Sequence, residues 1–225
     1  MNNLSSIKKD VLKFNKKLLS SKLVFESFGN LSIRYKSSFV IKPSGINLLK
    51  INYSKMCYYG KKNSLKPSVD SEIHDEIYKN FLNVNAVVHT HSKFVTSFCQ
   101  AGMEIDCLGT THADYFNDKI PIINLPNKKE TVTNFEKNTG KNIIKYFSKN
   151  KINPLNIKAA LLKSHGLIAW GKNAAEAFKI ATIVEQIAEI NLYSLLINKN
   201  SKKIPRFVIE KHFQRKNGKN SYYGQ

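Results

Sequence analysis

Two histidines one residue apart, His89 and His91, close an apolar run at 86–88. Residues two apart along a strand face the same side. Both imidazoles can therefore reach one ion, as zinc requires at ligand distances near ~2 Å. A third histidine, His165, stands in Ser164-His165-Gly166, a turn between two further apolar runs. A carboxylate, Asp70, precedes a stretch of helical periodicity just upstream of the His89 run. Three imidazoles, with or without one carboxylate, make a divalent-metal site that keeps a position for substrate. The plainer alternative is a set of hydrogen-bonded polar residues at strand ends.

A second constellation suits an anion. Gly29-Asn30-Leu31-Ser32 and Lys42-Pro43-Ser44-Gly45 place small residues, amides and hydroxyls at strand-to-loop junctions, with Lys42 supplying charge. Ser68 stands where the next helix is expected to open, and helix N-termini attract phosphate through free N–H groups. Ordinary turn chemistry accounts for the same residue types.

The elements that must position these groups follow from periodicity. Ile7, Val11, Phe14 and Leu18 predict an amphipathic helix over 5–20. Strands are expected at 31–35, 39–41, 85–89, 159–162 and 167–170, with an edge strand at 120–123 because Pro121 cannot donate to a ladder. Helices are expected from Ser68 through Phe81, over 93–101 with Gly102 as its stop, over 134–149 and over 174–197. His74 and His112 are read as structural, His74 because it falls among the exposed polar positions of its helix. From Lys199 onward the chain reads as a polar, basic tail. Strands and helices interleave without a repeat or a boundary, which makes one α/β domain of residues 1–225.

Composition narrows the partners. The 225 residues hold 36 Lys and Arg against 16 Asp and Glu, a net charge of +20 that invites a nucleic-acid reading. Yet 33 of those cations are lysines spread along the chain, and only Arg34, Arg206 and Arg215 carry the fork that base reading favours. Asn at 25 and Ile at 23 share A- and T-rich codons with Lys, so coding bias explains all three excesses together. No run of about 18 uninterrupted apolar residues points to a membrane span. The lysine-studded first 19 residues lack the core of a secretory leader, and Cys57, Cys99 and Cys107 form no framework. A cytoplasmic protein without nucleic-acid or membrane partners is the expectation.

The runs at 29–32, 41–45, 89–92 and 164–166 occur in the order of the class II aldolase and epimerase family, which the chain resembles over about residues 5–225. The likeness sharpens at Gly109-Thr110-Thr111-His112-Ala113-Asp114-Tyr115-Phe116, at Lys211-His212-Phe213-Gln214-Arg215-Lys216 and at Tyr222-Tyr223-Gly224-Gln225, which resemble the branch that epimerises L-ribulose 5-phosphate. The resemblance implies a central, mostly antiparallel β-sheet flanked by helices. It also implies a homotetramer with sites at subunit interfaces and a zinc ion, or another divalent cation, at each site. By that likeness Asp70, His89, His91 and His165 correspond to metal ligands, and Asn30, Lys42, Ser44, Gly45 and Ser68 to a phosphate pocket. Asp114 and Tyr223 correspond to an acid/base pair, the tyrosine donated by a neighbouring subunit through the tail at 199–225. His212 corresponds to a further interface residue, and Thr110 and Glu136 to positions near the aspartate. The implied reaction interconverts L-ribulose 5-phosphate and D-xylulose 5-phosphate by retro-aldol cleavage and re-addition. The alternatives are a class II aldolase acting on a sugar 1-phosphate and, further off, a basic nucleic-acid-binding protein. One departure stands out: Ser68-Val69-Asp70 replaces the family's Ser-Ser-Asp or Ser-Ser-Glu and removes a hydroxyl from the phosphate loop.

Overall fold

Asn3 opens the first helix by accepting the Ser6 N–H on its side chain, and α1 (Leu4–Ser20) buries Ile7, Val11 and Leu18 on one face as their spacing predicts. The computed structural model describes residues 3–218, 221 and 222. After α1 come the hairpin β1 (Asn30–Tyr35) and β2 (Ser38–Ile41), then β3 (Cys57–Tyr58), α2 (Ser71–Asn80), β4 (Ala86–Thr90) and α3 (Lys93–Ala101). A single turn, α4 (Thr110–Ala113), leads to β5 (Ile122–Ile123), α5 (Lys128–Lys149), β6 (Ala159–Leu162) and β7 (Gly166–Gly171). The chain closes with α6 (Ala174–Ile197) and α7 (Arg206–Asn217).

The seven strands form one sheet in the order β3-β2-β1-β4-β7-β6-β5. Every pairing is antiparallel except β5 with β6. The sheet is therefore mixed and mostly antiparallel, flanked by helices as expected. All five residues of β4 are buried. Because successive side chains of a strand face opposite ways, both faces of the sheet are covered there. The helix α6 packs on β7, β4 and α3. By length and composition it could cross a membrane, with a mean hydropathy of 1.4, but Ala177, Ala181, Val184 and Ala188 lie in the core.

The sequence reading held no counterpart of β3 or α4, and three further elements differ from it. The helix expected over 134–149 begins at Lys128, behind a capping box made by Asn127 and Glu130. It breaks at Asn134 (φ −169°, ψ 95°), where the apolar periodicity starts. The edge strand shrinks to Ile122–Ile123, with the Pro121 carbonyl accepting the Leu161 N–H. The basic tail contains α7, whose Ile209 and Phe213 are buried, Ile209 against Cys107 and Ala113.

One side chain joins α1 to the sheet. The pairing of β1 with β2 covers only residues 33–35 of β1, so Leu31 has no strand beside it on that edge. The buried Asn15 amide takes its place, accepting the Leu31 N–H at 2.9 Å and donating to the Leu31 carbonyl at 2.9 Å. Replacing it with Ala leaves both backbone groups buried and unpaired. The Asn15→Ala chain should lose about 2 kcal/mol or more in urea unfolding; a loss below about 0.5 kcal/mol would show that water replaces the amide.

Candidate metal centre and phosphate cavity

The His-x-His pair straddles the end of β4: His89 is in the strand and His91 one residue beyond it. The ring of His91 turns back onto His89, with Nε2 atoms 2.9 Å apart and ring centroids 4.7 Å apart. His165 arrives on the tight turn between β6 and β7, where Ser164 adopts φ +58°. Its ring lies 4.8 Å from His89 and 4.9 Å from His91, centroid to centroid. One ligand-capable nitrogen from each histidine falls within 4.8 Å of the others.

Protonation favours a cation here. The Nδ1 of His89 lies 2.8 Å from the Leu167 carbonyl, which can only accept, so Nδ1 carries the hydrogen and Nε2 keeps its lone pair. Burial first, and then the neighbouring imidazoles, push His91 down to about 3 and His165 to about 4. Both are neutral near pH 7. The Nδ1 of His165 is buried without a hydrogen-bond partner. Neutral imidazoles at 91 and 165, with the Nε2 of His89 beside them, fit a divalent ion.

Two glycines allow this convergence. A Cβ on Gly29 (φ +69°) would fall 2.7 Å from the His89 carbonyl, and one on Gly166 would fall 2.4 Å from the Thr90 carbonyl. Backbone segments on both sides of the β4 end thus approach more closely than a side chain permits.

Asp70 stands at the N-cap of α2, but its side chain makes no cap bond. The carboxylate instead accepts from Asn30 Nδ2 at 2.6 Å and from the Ser68 hydroxyl at 3.2 Å. Burial pushes its pKa up; electrostatic interaction with the His89, His74 and His165 rings and the Asn30 bond outweigh that, and the net direction is down. Asn30 sits directly opposite His89 in the β1–β4 ladder. Its Oδ1 is buried and unpartnered.

A cavity of about 360 Å³ opens beside this cluster, lined by Lys42, Ser44, Gly45, Ser68, Asp70, His91, Glu136 and His165 among others. Lys42 is buried and donates to the Ser27 carbonyl at 2.7 Å. Burial lowers its pKa, and the Asp70 charge partly opposes the shift. The Ser68 N–H does not serve an anion as the sequence suggests: α2 starts only at Ser71, and Ser68 N–H donates to the Lys42 carbonyl at 3.0 Å. Val69 in the altered loop is 62% exposed at the cavity wall.

The remaining predicted residues gather elsewhere. Asp114 ends α4 and is buried, its two oxygens each 3.0 Å from the Arg215 guanidinium of α7. His212 Nδ1 lies 3.2 Å from the same carboxylate. Thr110 begins α4 and is exposed. None of these three lines the 360 Å³ cavity. Tyr223 lies outside the described residues.

Several participants escaped the sequence reading. Phe28 and Phe135 flank the cluster, with ring centroids 5.7 Å from His91 and 6.2 Å from His165. Arg215 was legible only as part of a motif. His74 is not exposed: its fully buried Nδ1 meets the Ser32 hydroxyl at 2.7 Å, and Tyr78 joins that hydroxyl at 2.8 Å. Asp70, His74 and Tyr78 follow one another at i+4, which places the histidine on the inward face.

Comparison with known proteins gives the family and the fold. The family model described as Class II Aldolase and Adducin N-terminal domain matches residues 9–192. A Mycoplasma pneumoniae protein named "Probable L-ribulose-5-phosphate 4-epimerase UlaF" is 37% identical over 231 residues, covering 99% of this chain and 96% of its own. Among solved structures, an L-fuculose 1-phosphate aldolase superposes with a TM-score of 0.80 at 21% identity, over 95% of this chain and 97% of that one. The L-fuculose-1-phosphate aldolase of Thermus thermophilus gives a TM-score of 0.67 at 19% identity, over 88% and 98%. At these identities the structures speak for the fold.

The close approach at Gly166 yields a test. Gly166→Ala must push the His165 turn away from Thr90, and should cost about 2 kcal/mol in thermal or urea unfolding together with divalent-metal affinity measured by chelator competition. A variant with parental stability and metal affinity would refute the packing constraint.

Proposed function

The chain belongs to the class II aldolase and adducin N-terminal domain family, and from that premise we propose that it is a divalent-metal-dependent L-ribulose-5-phosphate 4-epimerase. The observation that carries the reading is the three-histidine cluster opening on a cavity whose wall holds the buried Lys42. The 37% relative directs the reading toward epimerisation; the likeness to fuculose-phosphate aldolases concerns the fold.

C4 of a 2-ketopentose phosphate bears a hydroxyl and is not acidic, so inversion there needs more than proton removal. Taking the proton from the C4 hydroxyl lets the C3–C4 bond break, giving an enediolate and glycolaldehyde phosphate. Rotation of the aldehyde and re-addition produce the other epimer. A zinc or similar ion held by His89, His91 and His165, with Asp70 beside them, supplies Lewis-acid stabilisation of the charge that develops at C2 and C3. Lys42, Ser44, Gly45, Ser68 and Asn30 hold the phosphate. That hold keeps the aldehyde in place for re-addition, where an aldolase would release it. Val69 contributes no hydroxyl to it.

The two faces of the aldehyde need separate proton carriers. We assign these to Asp114 and Tyr223, with Thr110 and His212 beside Asp114 and Glu136 on the cavity wall. Because Asp114 lies away from its own chain's cavity, the complete site combines one chain's metal cluster with a neighbour's Asp114, in a cytoplasmic homotetramer.

A coupled assay for D-xylulose 5-phosphate should detect activity that chelation abolishes and zinc restores. Asp114→Asn should lower kcat by about 10²- to 10⁴-fold. Mixing Asp114→Asn with the equally inactive His91→Ala, unfolded and refolded together, should regenerate about a quarter of the sites, since a head-to-tail ring pairs each chain with a neighbour. Stoichiometric release of free aldehyde would overturn the epimerase reading. An inactive mixture would overturn the shared site.

A further inference from the structure

Glu185 has no part in the proposed chemistry, yet both its oxygens are engaged. It projects from the middle of α6, accepting the Phe94 N–H on Oε1 at 2.9 Å and the Val95 N–H on Oε2 at 3.0 Å. These are amides of the first turn of α3, whose free N–H groups need acceptors. The local sequence provides none: Ser92 occupies the N-cap without a side-chain cap bond, and no acidic residue lies in the first turn. A carboxylate 90 residues away in the chain fills the place of the cap.

What makes this more than a stability device is where α3 runs. Its N-terminal end follows His91 after a single intervening residue. Its C-terminal end holds the His165 turn: the Cys99 carbonyl accepts the Ser164 N–H at 2.8 Å, and the Cys99 thiol donates to the Gly166 carbonyl at 3.3 Å. One nine-residue helix thus touches the chain next to His91 and on both sides of His165.

We infer that Glu185 is a positioning residue for the metal centre: by clamping the start of α3 to α6, it fixes the spacing of His91 from His165. The inference rests on the metal reading of the three histidines. Hydrogen-bond partners of the ligands themselves change metal affinity by about 10- to 100-fold when removed, and Glu185 acts through α3 on the spacing of two of the three ligands. A helix cap with no such role would lower stability alone.

Glu176 provides the control. It lies on the same helix and also caps backbone, accepting the Lys172 N–H at 2.7 Å while pairing with Lys158 at 2.7 Å. Neither contact involves α3. The test measures zinc affinity of the metal-free full chain by competition with a chromophoric chelator, alongside the urea midpoint. Glu185→Gln should weaken zinc binding tenfold or more, whereas Glu176→Gln should change it less than twofold although its midpoint also falls.

A second measurement needs no variant. Coupling is reciprocal, so saturating zinc should slow hydrogen exchange of the Phe94 and Val95 amides at least tenfold more than that of Lys172. Zinc affinity of Glu185→Gln within twofold of the parent, equal weakening by both variants, or equal protection of the three amides would each overturn the positioning role. A parent chain that binds no divalent ion would overturn the metal reading, and this inference with it.

Discussion

The hydrogen bond from His89 to the Leu167 carbonyl is the interaction on which the metal cluster depends. It fixes which nitrogen of His89 carries a proton and therefore which one is turned toward His91. It spans 78 residues and exists only because β4 and β7 are paired, with His89 opposite Ile168. The same pairing brings β7 and the preceding turn, hence His165, alongside the end of β4. The glycines at 29 and 166 are consequences: with the ladder in this register, neither backbone segment has room for a Cβ. The neutrality of His91 and His165 is a further consequence, since burial and close neighbouring rings disfavour their charged forms.

A second centre is folded with equal care and kept apart from the first. Burying the Asp114 carboxylate is unfavourable unless it is paired. Arg215 and His212 satisfy it from within the same chain, through α7 packed on α4. A carboxylate so held is presented in one orientation before any neighbour arrives. In the proposed shared site, little ordering would then remain to oppose assembly. The division of labour is physical: residues that need lone pairs on a metal are gathered at the strand ends, and the charged acid/base candidate is locked on a helix pair.

The sequence revealed the strand framework well, because β1 alternates polar and apolar residues while β4, β6 and β7 are apolar runs bounded by turn residues, with the histidines near the ends of those runs. The periodicity of α1, α3 and α6 was equally plain. Legibility fell where a contact is long-range or where apolar residues are few. In α5, Asn127 and Glu130 start the helix before its apolar stripe begins, so capping residues rather than periodicity marked the true start. In α7, only Ile209 and Phe213 signal a buried face among charged neighbours. His74 was misplaced because residue type was weighed above its position at i+4 from Asp70. Glu185 could not be assigned at all: nothing near residues 92–95 points to a cap arriving from α6.

The lysine excess shows why counting charges was the weakest guide. Of 33 lysines in the chain, Lys42 alone is buried among the described residues. An ammonium removed from water is disfavoured, and its lowered pKa expresses that penalty. The Ser27 carbonyl and the nearby Asp70 charge offset part of it, leaving a cation in a cavity wall beside the metal cluster. An incoming phosphate would complete the compensation, which a lysine surrounded by water does not need. Eight of the buried polar residues make the same point. Asn30, Ser32, Lys42, Ser68, His74, His89, Thr90 and Ser92 are all buried at or just behind this one end of the sheet. A fold tolerates such a concentration of desolvated polar groups in one place only where each has a partner or a task, and burial therefore locates the site that net charge obscured.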